Sequence, residues 1–204
     1  SPVCDGPFLP KKPMKAWAEG AAKDIDIMIG CTEDEFTYFH FYFDDLPGFW
    51  HGQFPIHFDD QIDIDYWEQA YRKAWPERDF AENYTNFMNS TGFFVGTDLM
   101  AEEQSAFKPV YNYLFRYKSR VEGMGSCHAI EVPFVFKNLD TASGLMFTGD
   151  NPPAHLADEM NDAWFSFAKT GKPFVEGKAP WDPYTAENHI HMVIDENEWK
   201  PVHS

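Results

Sequence analysis

The residue best suited to proton transfer in this sequence is His128, in the stretch GMGSCHAIEVPF at residues 123–134. A loop of small residues precedes it, and an apolar run follows it. A second candidate, Glu35, lies in the stretch IGCTEDEF, soon after an apolar segment. A carboxylate that accepts a hydrogen bond from one imidazole nitrogen leaves the other nitrogen ready to take a proton from a nucleophile. If the fold brings these two side chains together, they predict general acid–base chemistry.

Two predicted strands would position this pair. The segment KDIDIMIG becomes continuously apolar and predicts a buried strand that ends at Gly30, with CTEDEF following as a loop. The segment PVYNYLFRYKS, residues 109–119, contains β-favouring residues throughout and predicts a second strand. In open α/β sheets, functional side chains gather at the carboxyl ends of strands. Neighbouring strands would therefore place Glu35 and His128 at the same edge of the sheet.

The remaining segments predict an α/β fold. PMKAWAEGAA begins with proline and predicts a short helix, QIDIDYWEQAYRKAW predicts a second helix in an aromatic middle region, and HIHMVIDENEWKPV predicts a closing strand or hairpin. Only three or four strands are predicted, and long connections join them. We therefore interpret residues 1–204 as part of a single α/β domain whose remaining strands lie elsewhere. A longer helix in NPPAHLADEMNDAWFSFAKTG is predicted by one apolar stripe, which consists of Leu156, Met160, Ala163, Trp164 and Phe167.

The composition excludes several classes of function. The chain has 204 residues, of which 44% are hydrophobic and 18% aromatic, enough to form a core. Its 16 basic and 33 acidic residues give a net charge of −17, which repels nucleic acids and anionic membranes. The sequence shows no apolar run long enough for a membrane span and no secretory signal. We expect a soluble protein, with the cytoplasm slightly favoured over secretion, no nucleic acid as its partner and no membrane span.

The cysteines and histidines allow other interpretations. Cys127 is adjacent to His128 and could act as a nucleophile, although neighbouring side chains rarely point at each other. His189 and His191 would share one face of a strand and could bind a metal, but no third ligand has suitable spacing. The three cysteines fit neither a disulfide framework nor a zinc pattern, so we expect mostly buried thiols. No cofactor or metal is predicted.

Two groups of residues leave a choice open. Glu33 and Asp34 lie beside Glu35, and an acidic loop is usually just solvated; the spacing after the predicted strand favours Glu35. Aromatic residues of the middle region could line a substrate pocket or belong to the core, and the pattern does not distinguish the two. These residues are Trp50, Phe54, Phe58 and Tyr66.

Five stretches carry a resemblance to a known family: PVCDGPFLP, IMIGCTEDEF, GSCHAIEVPFVFKNLD, FAKTGKP and WDPY. In these motifs and their order the sequence resembles the type-B carboxylesterases, the group that includes the cholinesterases and the bacterial p-nitrobenzyl esterases. The resemblance covers essentially the whole chain and implies an α/β-hydrolase fold with a Ser, Glu, His triad in that order. It implies that Glu35 is the triad acid and that His128 is the triad base. Glu131, one turn after the histidine, would have a structural or supporting role.

The nucleophile of that triad does not occur in these residues. The sequence contains neither the G-x-S-x-G nucleophile elbow nor the Gly-Gly loop that supplies oxyanion-hole amides. By the resemblance, both belong to an N-terminal portion of the same enzyme, so this C-terminal part is expected to be inert alone and to act on a small-molecule ester only with that partner. Lesser departures are Phe36, where many members have Gly, and Cys4, where an aliphatic residue is usual. The alternative is a non-catalytic binding or adhesion module with the same fold.

Overall fold

A four-stranded mixed sheet organises the fold. The computed structural model describes residues 4, 6–41 and 64–203. The strands lie in the order β1–β2–β3–β4; β1, β2 and β3 are parallel, and β4 is antiparallel to β3. The sheet confirms the predicted α/β architecture and the predicted closing hairpin. The strands are β1 Ile27–Thr32, β2 Val110–Phe115, β3 Ile190–Ile194 and β4 Trp199–His203.

Both strands predicted beside the candidate pair are present, with different ends. β1 continues to Thr32 rather than ending at Gly30, and it pairs with β2 over its whole length. Gly30 does not terminate the strand. This position requires glycine because a Cβ would lie 2.3 Å from the ring of Tyr113 on β2. β2 ends at Phe115 rather than at Ser119, because the N–H of Ser119 donates to a carbonyl of the following loop instead of to a strand. Gly30 therefore marks close packing between β1 and β2 rather than a chain turn.

Helices and tight turns occupy most of the remaining described ranges. The helices at Pro13–Ala18, Ile64–Ala74 and Ala154–Thr170 confirm the three predicted helices. A 3₁₀ helix at Glu35–Phe41 follows β1, and a π-helical turn at Ser90–Phe94 joins two α-helices. The α-helices are α1 Pro13–Ala18, α2 Ile64–Ala74, α3 Phe80–Asn89, α4 Val95–Ser105, α5 Val132–Val135, α6 Ala142–Thr148 and α7 Ala154–Thr170.

Periodicity does not predict the helical run formed by α3, the π-helical turn and α4. Its start is nevertheless encoded by a capping box, in which Asp79 Oδ1 accepts from the N–H of Glu82 at 2.9 Å and the Glu82 carboxylate accepts from the N–H of Asp79 at 3.2 Å. Gly92 lies in the π-helical turn, and a Cβ there would lie 2.8 Å from the ring of Phe36. Gly92 and Gly96, in α4, obscure the helical pattern because glycine has a low helix propensity.

Side chains alternate along each strand, so each strand contributes residues to both faces of the sheet. Different helices cover the two faces. On one face, Phe115 of β2 belongs to a core that includes three fully or almost fully buried residues of the predicted α7 stripe. On the other face, Val110 packs with Ala101 of α4 and with Tyr184. None of the described helices is long and apolar enough to cross a membrane. The buried α7 residues are Leu156, Met160 and Ala163.

Candidate active site

The loops that follow β1 and β2 lie side by side. Thr32, the last residue of β1, is opposite Phe115, the last residue of β2, and the N–H of Glu33 donates to the Phe115 carbonyl at 2.9 Å. Glu35 begins the 3₁₀ helix after β1, and His128 lies in the turns that precede α5. Because the two strands are parallel neighbours, their carboxyl ends meet at one edge of the sheet. The condition on which the predicted meeting of Glu35 and His128 depends, that the two strands are neighbours, is therefore met.

Glu35 and His128 are in direct contact. Nδ1 of His128 lies 2.6 Å from Oε2 of Glu35, and the backbone N–H of His128 donates to the Glu35 carbonyl at 3.3 Å. The other carboxylate oxygen, Oε1, accepts from the N–H of Thr32 at 2.7 Å. Both oxygens are thus held, and only 4% of the Glu35 side chain is exposed, against 45% for the imidazole. A buried carboxylate therefore orients a ring whose other edge is accessible.

The Glu35 carboxylate also sets the charge state of His128. Its hydrogen bond raises the pKa of His128, and this effect outweighs partial burial, which lowers that pKa. The negative charges of Glu35 and Glu131 raise it further. When Nδ1–H donates to a carboxylate, Nε2 is the acceptor nitrogen of the neutral ring. The pair can therefore take a proton from a group at the exposed edge of the ring and stabilise the resulting imidazolium.

The two other acids of this loop have different partners. Glu33 forms salt bridges with Arg116, at 2.8 Å from Nε, and with Lys118. Asp34 lies 2.6 Å from Nζ of Lys118. Among the three neighbouring acids, Glu35 is the one that contacts the imidazole. Its role as the catalytic acid, like that of His128 as the base, stays a prediction.

Aromatic rings flank the imidazole. The Phe39 ring stacks on His128 with ring centroids 6.3 Å apart, and the Phe93 ring lies 5.4 Å away. Phe36 contacts both phenylalanines. The sequence interpretation missed Phe93, whose position depends on the π-helical turn; such turns often occur at functional sites. An apolar group that approaches the imidazole would thus meet apolar surfaces.

Glu131 lies one turn after the histidine. Burial is the main cause that raises its pKa, to about 7, and the nearby charge of Glu35 adds to the effect. A backbone hydrogen bond and the charge of His128 oppose it. Oε2 of Glu131 is buried and makes no hydrogen bond within the described ranges. The structural or supporting role predicted for Glu131 stays a prediction.

Comparison with known proteins identifies the family. The sequence profile of the carboxylesterase family matches residues 1–202. The chain belongs to the carboxylesterase family. It is 31% identical to the para-nitrobenzyl esterase of Bacillus subtilis, over 95% of this chain and 39% of that protein. It is 26% identical to the acetylcholinesterase of Leptinotarsa decemlineata, over 96% of this chain and 34% of that protein.

Solved structures agree with this assignment. A Geobacillus stearothermophilus carboxylesterase, crystallised at pH 6.2, matches with a TM-score of 0.79 and 30% identity, covering 100% of this chain and 43% of that chain. A PNB esterase structure matches with a TM-score of 0.70 and 27% identity, covering 100% of this chain and 41% of that chain. The resemblance and the α/β fold class are therefore confirmed, and the chain spans less than half the length of these relatives.

The environment of Cys127 opposes a nucleophilic role in this carboxylesterase chain. Its side chain is fully buried, and burial raises the pKa of the thiol to about 12, helped by the charges of Glu131 and Glu35. A thiol with such a pKa remains protonated near neutral pH and does not attack a carbonyl group. Cys31 is also buried, whereas Cys4 is exposed, which agrees with the expectation that the three thiols are mostly buried.

The two histidines considered as metal ligands do not share a strand face. His189 precedes β3 with a φ of 44°, and its Nδ1 lies 3.0 Å from the hydroxyl of Tyr184. His191 is on β3, and its Nε2 lies 2.8 Å from Asp98. Within the described ranges, no group of three or more candidate ligands could hold a metal ion.

The aromatic middle region is described only in part. Tyr66, on α2, is 63% exposed and does not belong to the core. Trp50, Phe54 and Phe58 lie outside the described residues. Whether these three line a pocket stays a question that the sequence pattern alone raises.

Proposed function

We propose that this chain supplies the acid and the base of a serine-dependent carboxylic ester hydrolase. The observation that carries the proposal is the contact between Glu35 and His128, at 2.6 Å, with the imidazole still 45% exposed. A buried carboxylate behind an accessible imidazole is the arrangement of a catalytic base that activates a hydroxyl group. Membership of the carboxylesterase family supports the same chemistry.

Each step of the reaction uses the same nitrogen. Nε2 of His128 takes the proton of a serine hydroxyl while the serine oxygen attacks the ester carbonyl carbon, and the imidazolium is stabilised by Glu35. The imidazolium then gives that proton to the leaving alcohol, and an acyl-serine remains. Water attacks this intermediate with His128 again as base, which releases the carboxylic acid and regenerates the serine. A general base of this kind contributes about 10²–10⁴-fold to the rate.

The serine and the oxyanion-hole amides would come from an N-terminal portion of the same enzyme. The G-x-S-x-G motif does not occur in these 204 residues, and the match covers 39% of the Bacillus subtilis esterase. We therefore expect the chain alone to be inert towards esters. The two polypeptide portions together would form the site.

The substrate would be a small ester with an apolar acyl or alcohol group. Phe39 and Phe93 flank the imidazole, so a group bound beside Nε2 would contact hydrocarbon rather than charge. The alternative of a non-catalytic adhesion module is less well supported, because Glu35 and His128 are both present and in contact.

The first test is reconstitution. This chain would be produced together with the part of the Bacillus subtilis para-nitrobenzyl esterase to which it does not align, and hydrolysis of p-nitrophenyl butyrate would be followed. We expect a 1:1 assembly with esterase activity. Changing His128→Ala in this chain should lower kcat by about 10²–10⁴-fold, the usual contribution of a general base.

The matched control is His155→Ala, because His155 lies on α7 and its imidazole contacts the carbonyl of Glu196 rather than the candidate pair. That variant should retain full activity. Full activity in the His128→Ala assembly would exclude the proposed role. Failure of the two portions to associate would count against the proposal that such a portion completes the site.

A further inference from the structure

Two hydrogen bonds join the residue before Glu35 to the loop before His128. The backbone N–H of Asp34 donates to the carbonyl of Ser126 at 2.9 Å. In return, the N–H of Ser126 donates to Oδ2 of Asp34 at 2.7 Å. Asp34 is therefore hydrogen-bonded to Ser126 through both its main chain and its side chain.

These bonds lie directly beside the contact that the chemistry needs. Glu35 follows Asp34, His128 comes two residues after Ser126, and Glu35 and His128 are also joined by one backbone and one side-chain hydrogen bond. The acid loop, residues 33–35, and the histidine loop, residues 123–128, are thus joined at two pairs of residues, Asp34 with Ser126 and Glu35 with His128. A shift of Ser126 would move the imidazole relative to the Glu35 carboxylate.

The partners of Ser126 and Asp34 keep this pairing in place. Ser126 is fully buried, and its hydroxyl donates to the carbonyl of Phe115, at the end of β2, at 2.8 Å. Oδ2 of Asp34 also lies 2.6 Å from Nζ of Lys118. The same carboxylate oxygen of Asp34 is therefore held by a cation and by a residue that is fixed to the sheet.

Gly125 permits this close approach. It has a φ of 60°, and a Cβ at this position would lie 2.5 Å from Oδ2 of Asp34. A side chain here would be strained in its backbone and would also push against the carboxylate. The Asp34 carboxylate can therefore occupy its place beside the histidine loop because Gly125 has no side chain.

We infer that Asp34 is a positioning residue, which holds Ser126 through its carboxylate and backbone N–H and thereby keeps the imidazole of His128 on the Glu35 carboxylate. The catalytic consequence of this inference rests on the proposed function. Glu33 makes a useful contrast: it has the same charge and shares Lys118, but its carboxylate is paired with Arg116 rather than with the histidine loop.

The test uses three variants of the 204-residue chain: Asp34→Ala, Asp34→Asn and Glu33→Gln. The first readout is the far-downfield ¹H NMR signal of the proton between His128 Nδ1 and Glu35 Oε2, assigned by its loss in His128→Ala. Asp34→Ala should abolish or broaden this signal. Asp34→Asn should retain it, because an amide oxygen can still accept from the N–H of Ser126, and Glu33→Gln should leave it unchanged.

The second readout is kinetic and uses the assembly with the Bacillus subtilis portion. Asp34→Ala should lower kcat about 10- to 100-fold with little change in KM, since a displaced base weakens the transition state rather than substrate binding. Asp34→Asn and Glu33→Gln should keep most of the activity. A general structural role for the acidic loop would instead give equal losses in Asp34→Ala and Glu33→Gln, which would overturn the inference.

The two readouts separate this inference from the proposed function. If the unmodified assembly does not hydrolyse esters, the proposed function fails, while the NMR signal still decides the role of Asp34. An Asp34→Ala chain that keeps the downfield signal would overturn the inference, as would loss of the signal in a folded Asp34→Asn chain. If circular dichroism shows that Asp34→Ala does not fold, Gly125→Ala decides: its methyl group should displace the carboxylate and weaken the signal, and an unchanged signal would overturn the inference.

Discussion

The Glu35 carboxylate determines the pH range in which His128 can accept a proton. Its hydrogen bond raises the pKa of His128 above the ordinary value of 6.5. Only the neutral imidazole can act as a base, so kcat/KM of the assembled enzyme should rise with pH through a pKa above 6.5. In Glu35→Gln the inflection should move to lower pH and kcat should fall. The pH–rate profile measures both, and an inflection that stays in place would contradict the role given to Glu35.

Glu131 makes the stability of the chain depend on pH in the opposite sense from a salt-bridged acid. Its pKa is raised from 4.5 to about 7, mainly by burial, so the folded chain binds this proton more tightly than the unfolded chain does. The free energy of unfolding should therefore fall as pH rises from about 4.5 to about 7 and then level off. Glu131→Gln should be more stable than the unmodified chain by about 1–3 kcal/mol at pH 8 and nearly equal to it at pH 4.

Urea unfolding at the two pH values checks this expectation, with the exposed Glu122→Gln as the control that should change neither value. His128 also makes the free energy of unfolding fall with pH, over a higher pH range than Glu131 does. Because its folded pKa is raised, the stabilisation it gives is complete below about 6.5 and is lost as pH rises through the folded value. A Glu131→Gln chain that is less stable than the unmodified chain at pH 8 would show that the buried carboxylate is needed ionised.

At the scale of single residues, the sequence predicts the site where a motif is present. Glu35 and His128 were predicted from their surroundings and are in contact, whereas Phe93 was missed. The position of Phe93 depends on how a helix packs against the histidine loop, which no local pattern encodes.

Among the secondary-structure elements, β1 depends on a glycine in its interior. A Cβ at Gly30 would lie 2.3 Å from the ring of Tyr113 and 2.4 Å from its carbonyl oxygen. Gly30→Ala should therefore separate β1 from β2 and lower the free energy of unfolding by about 3 kcal/mol. Thermal or urea unfolding measures the difference, and a change close to zero would show that the two strands can part without cost.

The matched control for this variant is Gly96→Ala. Gly96 lies in α4, and a Cβ there would meet nothing within 4 Å. Because alanine favours a helix over glycine, this variant should gain about 0.5–1 kcal/mol. The same substitution should thus have opposite signs in the strand and in the helix.

Strong apolar patterns predict β1, β2 and α7, and all three are present. The end of β1 was misplaced because glycine usually terminates a strand, whereas here it makes room for a tyrosine ring. The helical run of α3 and α4 was missed although its capping box was visible in the sequence, because two glycines weaken the helical pattern.

On the scale of the whole molecule, β1 and β4 are the two edge strands of the sheet within the described residues, and β1 is the one beside the candidate site. In the described ranges β1 pairs with β2 alone, whereas β3 pairs with strands on both sides. If another polypeptide portion adds to this edge, the amides of β1 that point away from β2 should exchange hydrogen at least about tenfold more slowly in the assembly than in the chain alone. Amides of β3 should not change. Equal exchange of β1 in both samples would place the added portion elsewhere.

The shortage of strands is evident in the sequence, because three or four strands with long connections do not complete an α/β sheet. Within the described residues the sheet has four strands. The sequence does not predict the surface against which β1 and the imidazole would act, because under the proposed function that surface belongs to another portion of the enzyme.

The candidate acid and base are separated by 93 positions along the chain. At a synthesis rate of about 5–20 residues per second, a ribosome would need roughly 5–20 seconds to progress from one to the other. During that interval the newly made carboxylate has no imidazole to hold, and closing so long a loop costs entropy that only the later strand pairing recovers. Nascent molecules should therefore pass through a stage in which the acid loop exists without its basic counterpart, and any premature stop before residue 128 would release a product that cannot activate a hydroxyl group.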